Sequence, residues 1–139
     1  MAKKEDFTEQ EWEALQKGVT GAGLLVSLSD RSFFDTFKEA GALGKHVAQA
    51  KQKSSSELIQ DLANVRGTGF GVTSSPDKVE QETLEALRTA NTTLEAKAPE
   101  ELELYRQLVL EVAESVSKAA GGGETAESGA IEKIRSALS

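Results

Sequence analysis

The sequence of 139 residues contains no cysteine, and it has only one histidine and two prolines. Without cysteine the chain has no disulfide framework, thiolate metal site, redox pair or thiol nucleophile. No apolar run approaches the roughly 20 residues of a membrane-spanning helix. The charged residues 1–8 also lack the apolar segment of a signal peptide. We therefore expect a soluble, cytoplasmic protein of one domain.

Catalytic groups are also scarce. The single histidine, His46, follows Lys45 late in a helical pattern and has no identifiable serine or aspartate partner for nucleophilic catalysis. The single tyrosine, Tyr105, lies on an apolar helix face, where we expect core packing with a hydrogen-bonded hydroxyl. We therefore predict that the protein is not an enzyme and that it uses no cofactor.

The net charge is −7, and the acidic surplus lies in the C-terminal two-thirds of the chain. Such a surface repels a phosphate backbone, and no aromatic residues alternate with Arg or Lys to counter that repulsion. Lys45, Lys51 and Lys53 form a local basic cluster, but they fall at the predicted end of a helix, where cations are favourable. The sequence predicts neither nucleic-acid binding nor membrane binding.

What the sequence does contain is a repeated helical face. Residues 8–31 and 98–121 carry apolar side chains at the same offsets, and five of the 24 aligned positions are identical. This low identity fits a true duplication, and it also fits two independent helices that obey the same burial rule. The matching apolar positions are Trp12 and Leu102, Leu15 and Tyr105, Val19 and Val109, Ala22 and Val112, and Val26 and Val116.

Apolar spacing and capping signals predict six helices. The first and fifth are expected to form the central pair. Residues 1–7 are predicted as a disordered tail, and the glycine-rich residues 67–75 as a connecting loop. The predicted helices are 9–28, a second ending near residue 52, a short third behind the capping box of Ser54–Ser56 with Glu57, a fourth from Pro76 to about Lys97, a fifth from Pro99 to about Ala119, and a last at 127–138.

The first helix has an explicit start. Thr8 and Glu11 match a capping box, in which each side chain accepts a hydrogen bond from the other residue's amide. Phe7 and Trp12 flank this box as a hydrophobic staple, so we expect Trp12 to be buried.

The interior of that helix is rich in glycine. Gly18, Gly21 and Gly23 each cost up to about 1 kcal/mol relative to alanine in a helix. We expect the close approach of another helix to offset that cost, because missing side chains let two backbones gain dispersion contacts. Gly41 and Gly44 of the second helix form the small-residue stripe that we predict to receive it.

Carboxylates are the remaining side chains that could form a chemical site. Three of them follow the first helix, and others follow the fifth helix at the corresponding place in the second half. Oxygen-rich sites of this kind suit a hard cation such as Ca²⁺ or Mg²⁺. Carboxylates at helix starts also cap helices and complement the helix dipole, so both interpretations stay open. The candidate metal ligands are Asp30, Asp35, Glu39 and Glu127.

Three segments, FTxxEW at the helix start, GVTGAGLLVSLSD, and ESGAIEKIRSALS near the end, resemble an uncharacterised family of small bacterial all-helical proteins. More distantly, the chain is similar to the tellurite-resistance TerB family. That resemblance implies a helical duplication with a metal-binding motif, Ala-Asp-Gly and a downstream Glu, after the long helix of each half. Here the first half has Ser29-Asp30-Arg31 with Asp35 or Glu39 downstream, and the second has Ala120-Gly121-Gly122 with Glu127.

The sequence as a whole predicts an all-α, single-domain bundle of five or six helices over residues 1–139. We expect a non-enzymatic binding or stress-response accessory domain that acts through its helix surfaces on an unknown protein partner. We also expect a monomer or a weak homodimer. A divalent-metal-binding, TerB-like module is the alternative.

Overall fold

The computed structural model describes residues 4–27, 45, 47–49, 52, 56–62, 75–119 and 125–138. All regular structure in these residues is helical, which confirms the predicted all-α fold. A turn of 3-10 helix at Lys4–Asp6 comes first, and residues 45 and 47–49 are also helical. The α-helices that we label are α1 (Glu9–Ser27), α2 (Glu57–Leu62), α3 (Pro76–Lys97), α4 (Pro99–Ala119) and α5 (Thr125–Ala137).

The start of α1 is built as the sequence predicts. Thr8 Oγ1 accepts a hydrogen bond from the Glu11 amide at 3.1 Å, and Glu11 Oε1 accepts one from the Thr8 amide at 2.8 Å. The rings of Phe7 and Trp12 lie 6.1 Å apart between centroids, and both side chains are buried. The capping box, the staple and the burial of Trp12 are confirmed. Of the tail predicted over residues 1–7, the structure describes residues 4–7, which lead through the 3-10 turn to buried Phe7.

Helix α1 lies at the centre of the described bundle and contacts α3, α4 and α5. All of residues 18–27 are buried, so the second half of this helix has no solvent-facing side. Its most extensive contacts are with α3, and those with α4 come second. The predicted central pair of α1 and α4 is in contact, and α3 covers more of α1 than α4 does. Helix α3 runs antiparallel to α1, since Gly21 faces Thr83 whereas Glu11 pairs with Lys97 at the end of α3.

The glycines of α1 allow α3 and α4 to pack closely against it. A Cβ atom on Gly18 would lie 2.3 Å from Tyr105 Oη and 3.0 Å from Leu87 Cδ2, and one on Gly21 would lie 2.2 Å from Thr83 Oγ1. These separations are far inside van der Waals contact, so the predicted reason for the glycines, close helix approach, is confirmed. The predicted partner of Gly18 and Gly21 is wrong, because α3 and α4 occupy this space. The stripe at residues 41 and 44 lies outside the described residues.

The repeated apolar face is buried in both helices that carry it. Four of the five matched pairs are fully buried in both copies, while Trp12 is 7% exposed and Leu102 is half-buried. Matched positions also touch each other, because the Tyr105 hydroxyl donates a hydrogen bond to the Leu15 carbonyl oxygen at 2.7 Å. Helices α1 and α4 therefore meet at this matched pair of positions.

Local signals set the boundaries of α3 and α4. The Ser75 side chain accepts a hydrogen bond from the Lys78 amide at 3.2 Å, and Pro76 is the first helical residue. Ala98 alone separates the two helices, and its amide donates to the Leu94 carbonyl oxygen at 2.8 Å. Both starts, and the end of α3 at Lys97, match the sequence-based prediction.

The start of α2 differs from the prediction. Ser56 directly precedes the helix, and its hydroxyl oxygen accepts a hydrogen bond from the Ile59 amide at 3.4 Å. Glu57 is therefore the first helical residue and cannot close the predicted capping box, for which it would have to be the third. The buried face of α2 consists of Leu58, Ile59 and Leu62.

Candidate functional site

The predicted metal ligands fall almost entirely outside what the structure describes. Asp30, Asp35 and Glu39 are outside the described residues, and of Glu127 only the backbone position, in the first turn of α5, is described. Within the described part of the chain, no three His, Asp or Glu side chains lie together in a way that could hold a metal ion. The four-residue metal site therefore stays a prediction. His46 and the loop residues 67–74 also lie outside the described residues.

Tyr105 is a packing residue, as the sequence predicts. Its side chain is fully buried, and its hydroxyl donates to the Leu15 carbonyl oxygen. Burial raises the pKa of this phenol well above its ordinary value, because the charged form would lose its hydration. The hydroxyl therefore stays protonated at neutral pH and serves as a hydrogen-bond donor between α4 and α1.

A buried polar pair that sequence analysis missed joins α2 to α4. The Ser56 hydroxyl donates to Glu101 Oε2 at 2.6 Å, and both residues are at least 95% buried. Glu101 stands in the first turn of α4, where a negative charge is favourable. The sequence alone does not reveal this contact, because it depends on how α2 packs against α4. This pair fixes one helix against another.

Lysine–glutamate pairs join neighbouring helices at the surface. The hydrogen bond from Lys97 holds the pKa of Glu11 below its ordinary value, and the hydrogen bond from Lys17 does the same for Glu82. Exposed pairs of this kind each contribute little to stability. In each pair the lysine and the glutamate bind each other, so these contacts point to no reactive group. The pairs are Lys17 with Glu82 at 2.7 Å, Lys97 with Glu11 at 2.5 Å, and Lys133 with Glu80.

A small open cleft lies between α4 and α5. Its cavity volume is about 150 Å³, and it is lined by Arg106, Leu110, Arg135 and Leu138. Arg106 and Leu110 are one helical turn apart on α4, while Arg135 belongs to the last turn of α5. The two helices thus bring two arginines and two leucines to one cleft.

The guanidinium of Arg106 is held in place at this cleft. Its Nη2 donates to Asn91 Oδ1 of α3 at 3.0 Å, and its Nη1 lies 3.7 Å from Glu103 Oε2. The Nε atom is buried without a hydrogen-bond partner, so the side chain lies against the protein rather than extending into water. Arg106 is 31% exposed and Arg135 is 53% exposed, so both present charge to solvent.

The described lining of this cleft contains two cationic side chains and no nucleophile or general base. Sequence analysis did not find it, because the two arginines come from separate helices and belong to no spaced motif. The only available signal was the position of Arg106 beside the apolar face of α4, next to Tyr105.

No helix in the described ranges is both long enough and apolar enough to cross a membrane. Comparison of the chain with models of protein families, with curated proteins and with solved structures gave no match.

Proposed function

We propose that this chain is a non-enzymatic binding or stress-response accessory domain that acts through its helix surfaces on a protein partner. The cleft between α4 and α5 is the observation that supports this most, because two partly exposed arginines of separate helices line one surface depression. By contrast, the polar groups Tyr105, Ser56 and Glu101 of the described core are used in contacts between helices. We infer a bacterial, cytoplasmic setting from the family resemblance and the lack of cysteine.

Site-specific photo-crosslinking from Gln107 tests this proposal, because that exposed residue of α4 directly follows Arg106. A protein captured in the source cells is then purified, and its affinity is measured for three forms of the chain. We expect wild type and Arg88→Glu to bind equally, since Arg88 is an exposed arginine of α3 that does not line the cleft.

The double substitution Arg106→Glu with Arg135→Glu should weaken that binding at least about tenfold, because it replaces attraction with like-charge repulsion. Equal binding by the double variant, with unfolding free energy unchanged, would contradict the proposal. Sedimentation of the wild type is expected to show a monomer or a weak homodimer, since exposed positions of α4 and α5 such as Glu103, Glu132 and Lys133 are charged.

Calorimetric titration with Ca²⁺, Mg²⁺ and Mn²⁺ separates this proposal from the TerB-like alternative. We expect no saturable heat from any of the three ions. A saturable heat that disappears when Asp30, Asp35, Glu39 and Glu127 are changed to the corresponding amides would favour a metal-binding module instead.

A further inference from the structure

We propose that residues 4–7 form a latch that packs on Trp12 and opens while the helix bundle stays folded, and that Lys97 holds this latch closed. The latch consists of the 3-10 turn at Lys4–Asp6 and the buried side chain of Phe7. This device lies at the start of α1 and does not involve the residues that line the cleft between α4 and α5.

Phe7 anchors the latch to the bundle. It is 8% exposed and belongs to the hydrophobic core, whereas Glu5 and Asp6 are exposed. The ring of Phe7 lies 6.1 Å from the ring of Trp12 between centroids, with an angle of 45° between the ring planes. When the latch opens, the indole of Trp12 therefore loses an aromatic neighbour and its surroundings change.

The hydrogen bonds of α1 place the hinge of the latch at Thr8. The Thr8 carbonyl oxygen accepts a hydrogen bond from the Trp12 amide at 2.9 Å, and Thr8 also forms the capping box with Glu11. These bonds begin after the latch, so residues 4–7 can move away without breaking them. Short segments that bury few side chains open locally at a low free-energy cost, and their backbone gains conformational entropy on opening.

Lys97 contacts the closed latch at two points. Its Nζ atom donates a hydrogen bond to the Asp6 carbonyl oxygen at 3.3 Å and lies 5.8 Å from the centre of the Phe7 ring. The second distance is within the range of cation–π attraction. Lys97 is the last residue of α3, so these contacts bind the latch to a different helix from the one that it precedes. Both contacts exist only in the closed state, so the ammonium shifts the equilibrium towards that state.

Glu11 keeps the ammonium in place when the latch is open. Glu11 Oε1 accepts a hydrogen bond from Lys97 Nζ at 2.5 Å, and this pair joins the end of α3 to the start of α1. Neither residue belongs to the latch, so the pair remains when residues 4–7 move away. The ammonium then stays near the position in which it contacts the closed latch. Closing therefore costs less side-chain entropy than it would with a freely rotating lysine.

Fluorine NMR of the full chain labelled with 5-fluorotryptophan tests this inference, because Trp12 is the only tryptophan. The main resonance should come from the closed state, and saturation-transfer measurements should detect an open state populated at about 0.1–10%. Phe7→Ala removes the anchor, so its main resonance should lie at the position of the open state, while far-UV circular dichroism still shows a folded helical bundle. Loss of the folded bundle in Phe7→Ala would show that the latch does not open by itself, and would overturn the inference.

Variants at one lysine test what holds the latch closed. Lys97→Gln should raise the ratio of open to closed state about five- to thirtyfold, since it removes the cation–π contact and the charged hydrogen-bond donor. Lys97→Arg keeps the positive charge and should stay within about twofold of the wild type. Lys118→Gln is the control, because it removes an exposed cation of α4, and it should leave the ratio unchanged. Equal ratios in the wild type and Lys97→Gln, or no open state in either, would overturn the inference.

Glu11→Gln separates the latch from the capping box. Glutamine can replace glutamate in a capping box, but it has no charge to hold the Lys97 ammonium. The ratio of open to closed state should rise about two- to fivefold, which is less than in Lys97→Gln. A larger rise in Glu11→Gln than in Lys97→Gln would mean that the lysine acts through the start of α1 rather than through the latch, and would also overturn the inference.

Discussion

Helices α1 and α4 carry the same apolar pattern, but they have different surroundings. The second half of α1, residues 18–27, is buried on all sides and contains three glycines. Helix α4 contains no glycine, buries one face, and leaves Arg106 and Leu110 at the edge of a cleft. The shared pattern specifies which face is buried, while the glycines decide which helix can be surrounded. The helix without them keeps an exposed face.

The same contrast appears at one identical residue of the repeat. Glu11 and Glu101 occupy matched positions. Glu11 is partly exposed, closes a capping box with Thr8 and pairs with Lys97. Glu101 is 4% exposed and accepts a hydrogen bond from the Ser56 hydroxyl. Identical side chains at matched positions therefore have different partners, which depend on the helix packed beside each.

The largest expected difference in stability between substitutions in α1 and in α4 is at the first matched apolar pair, Trp12 and Leu102. Trp12→Ala should lower the unfolding free energy by about 3–5 kcal/mol, because Trp12 is 7% exposed and packs on Phe7. Leu102→Ala should cost less, about 1–2 kcal/mol, because Leu102 is only partly buried. Chemical denaturation measures both values, and native Trp12 fluorescence should be blue-shifted. Equal losses, or emission like that of tryptophan in water, would contradict this packing.

Glu101 contacts Ser56, whereas Glu11 does not, so substitution of Ser56 tests the difference between the two glutamates. Ser56→Ala should destabilise by about 1–3 kcal/mol, since it leaves a buried carboxylate without its hydroxyl partner and removes the cap of α2. Ser75→Ala is the control, because it removes only the exposed cap of α3 and should cost about 1 kcal/mol. Thermal unfolding of both variants measures the difference. A smaller loss at Ser56 than at Ser75 would refute the role given to the Ser56–Glu101 pair.

Substitution by alanine should have opposite effects on stability at a glycine with open space around it and at the closely packed glycines of α1. A Cβ on Gly129 of α5 would have nothing within 4 Å, so Gly129→Ala should stabilise the protein by about 0.5–1 kcal/mol. Gly21→Ala should instead destabilise it, because the new Cβ would lie 2.2 Å from Thr83 Oγ1. Urea unfolding gives both signs directly. Stabilisation at both positions would mean that Gly21 does not serve close packing.

The smallest expected effect is the pH dependence at Glu11. The hydrogen bond from Lys97 lowers the folded-state pKa of Glu11 below its ordinary value of 4.5. The resulting stabilisation is fully present above about pH 4.5 and is lost as the pH falls through the folded-state pKa. In Lys97→Gln, carbon NMR of the Glu11 carboxyl should show its pKa rising towards 4.5. Lys118→Gln, which removes an exposed cation of α4, should leave it unchanged.

Local signals predicted most helix boundaries, and tertiary packing decided what they missed. Thr8, Ser75 and Pro99 begin their helices as expected, because caps and proline act through neighbouring backbone. Among the three serines before α2, sequence could not identify Ser56 as the one at the helix start. Its hydroxyl also binds Glu101, a residue far away in the chain.

Packing partners were harder to predict than packing faces. The glycines of α1 correctly indicated a close helix approach, but the approaching residues are Thr83, Leu87 and Tyr105. Small residues show that space is left open without showing which helix fills it. The cleft was missed for a related reason, since Arg106 and Arg135 are brought together only when α5 packs on α4.

A double-mutant cycle between Gly18 and Tyr105 tests most directly whether the glycines of α1 allow its neighbouring helices to pack closely. The unfolding free energy is measured for wild type, Gly18→Ala, Tyr105→Phe and the double variant. A Cβ on Gly18 would lie 2.3 Å from Tyr105 Oη, so Gly18→Ala should cost about 1–3 kcal/mol while the hydroxyl is present. In the Tyr105→Phe background that cost should largely disappear, giving a coupling of about 1–3 kcal/mol. A coupling near zero, with Gly18→Ala neutral or stabilising in both backgrounds, would contradict the close packing of α4 on α1.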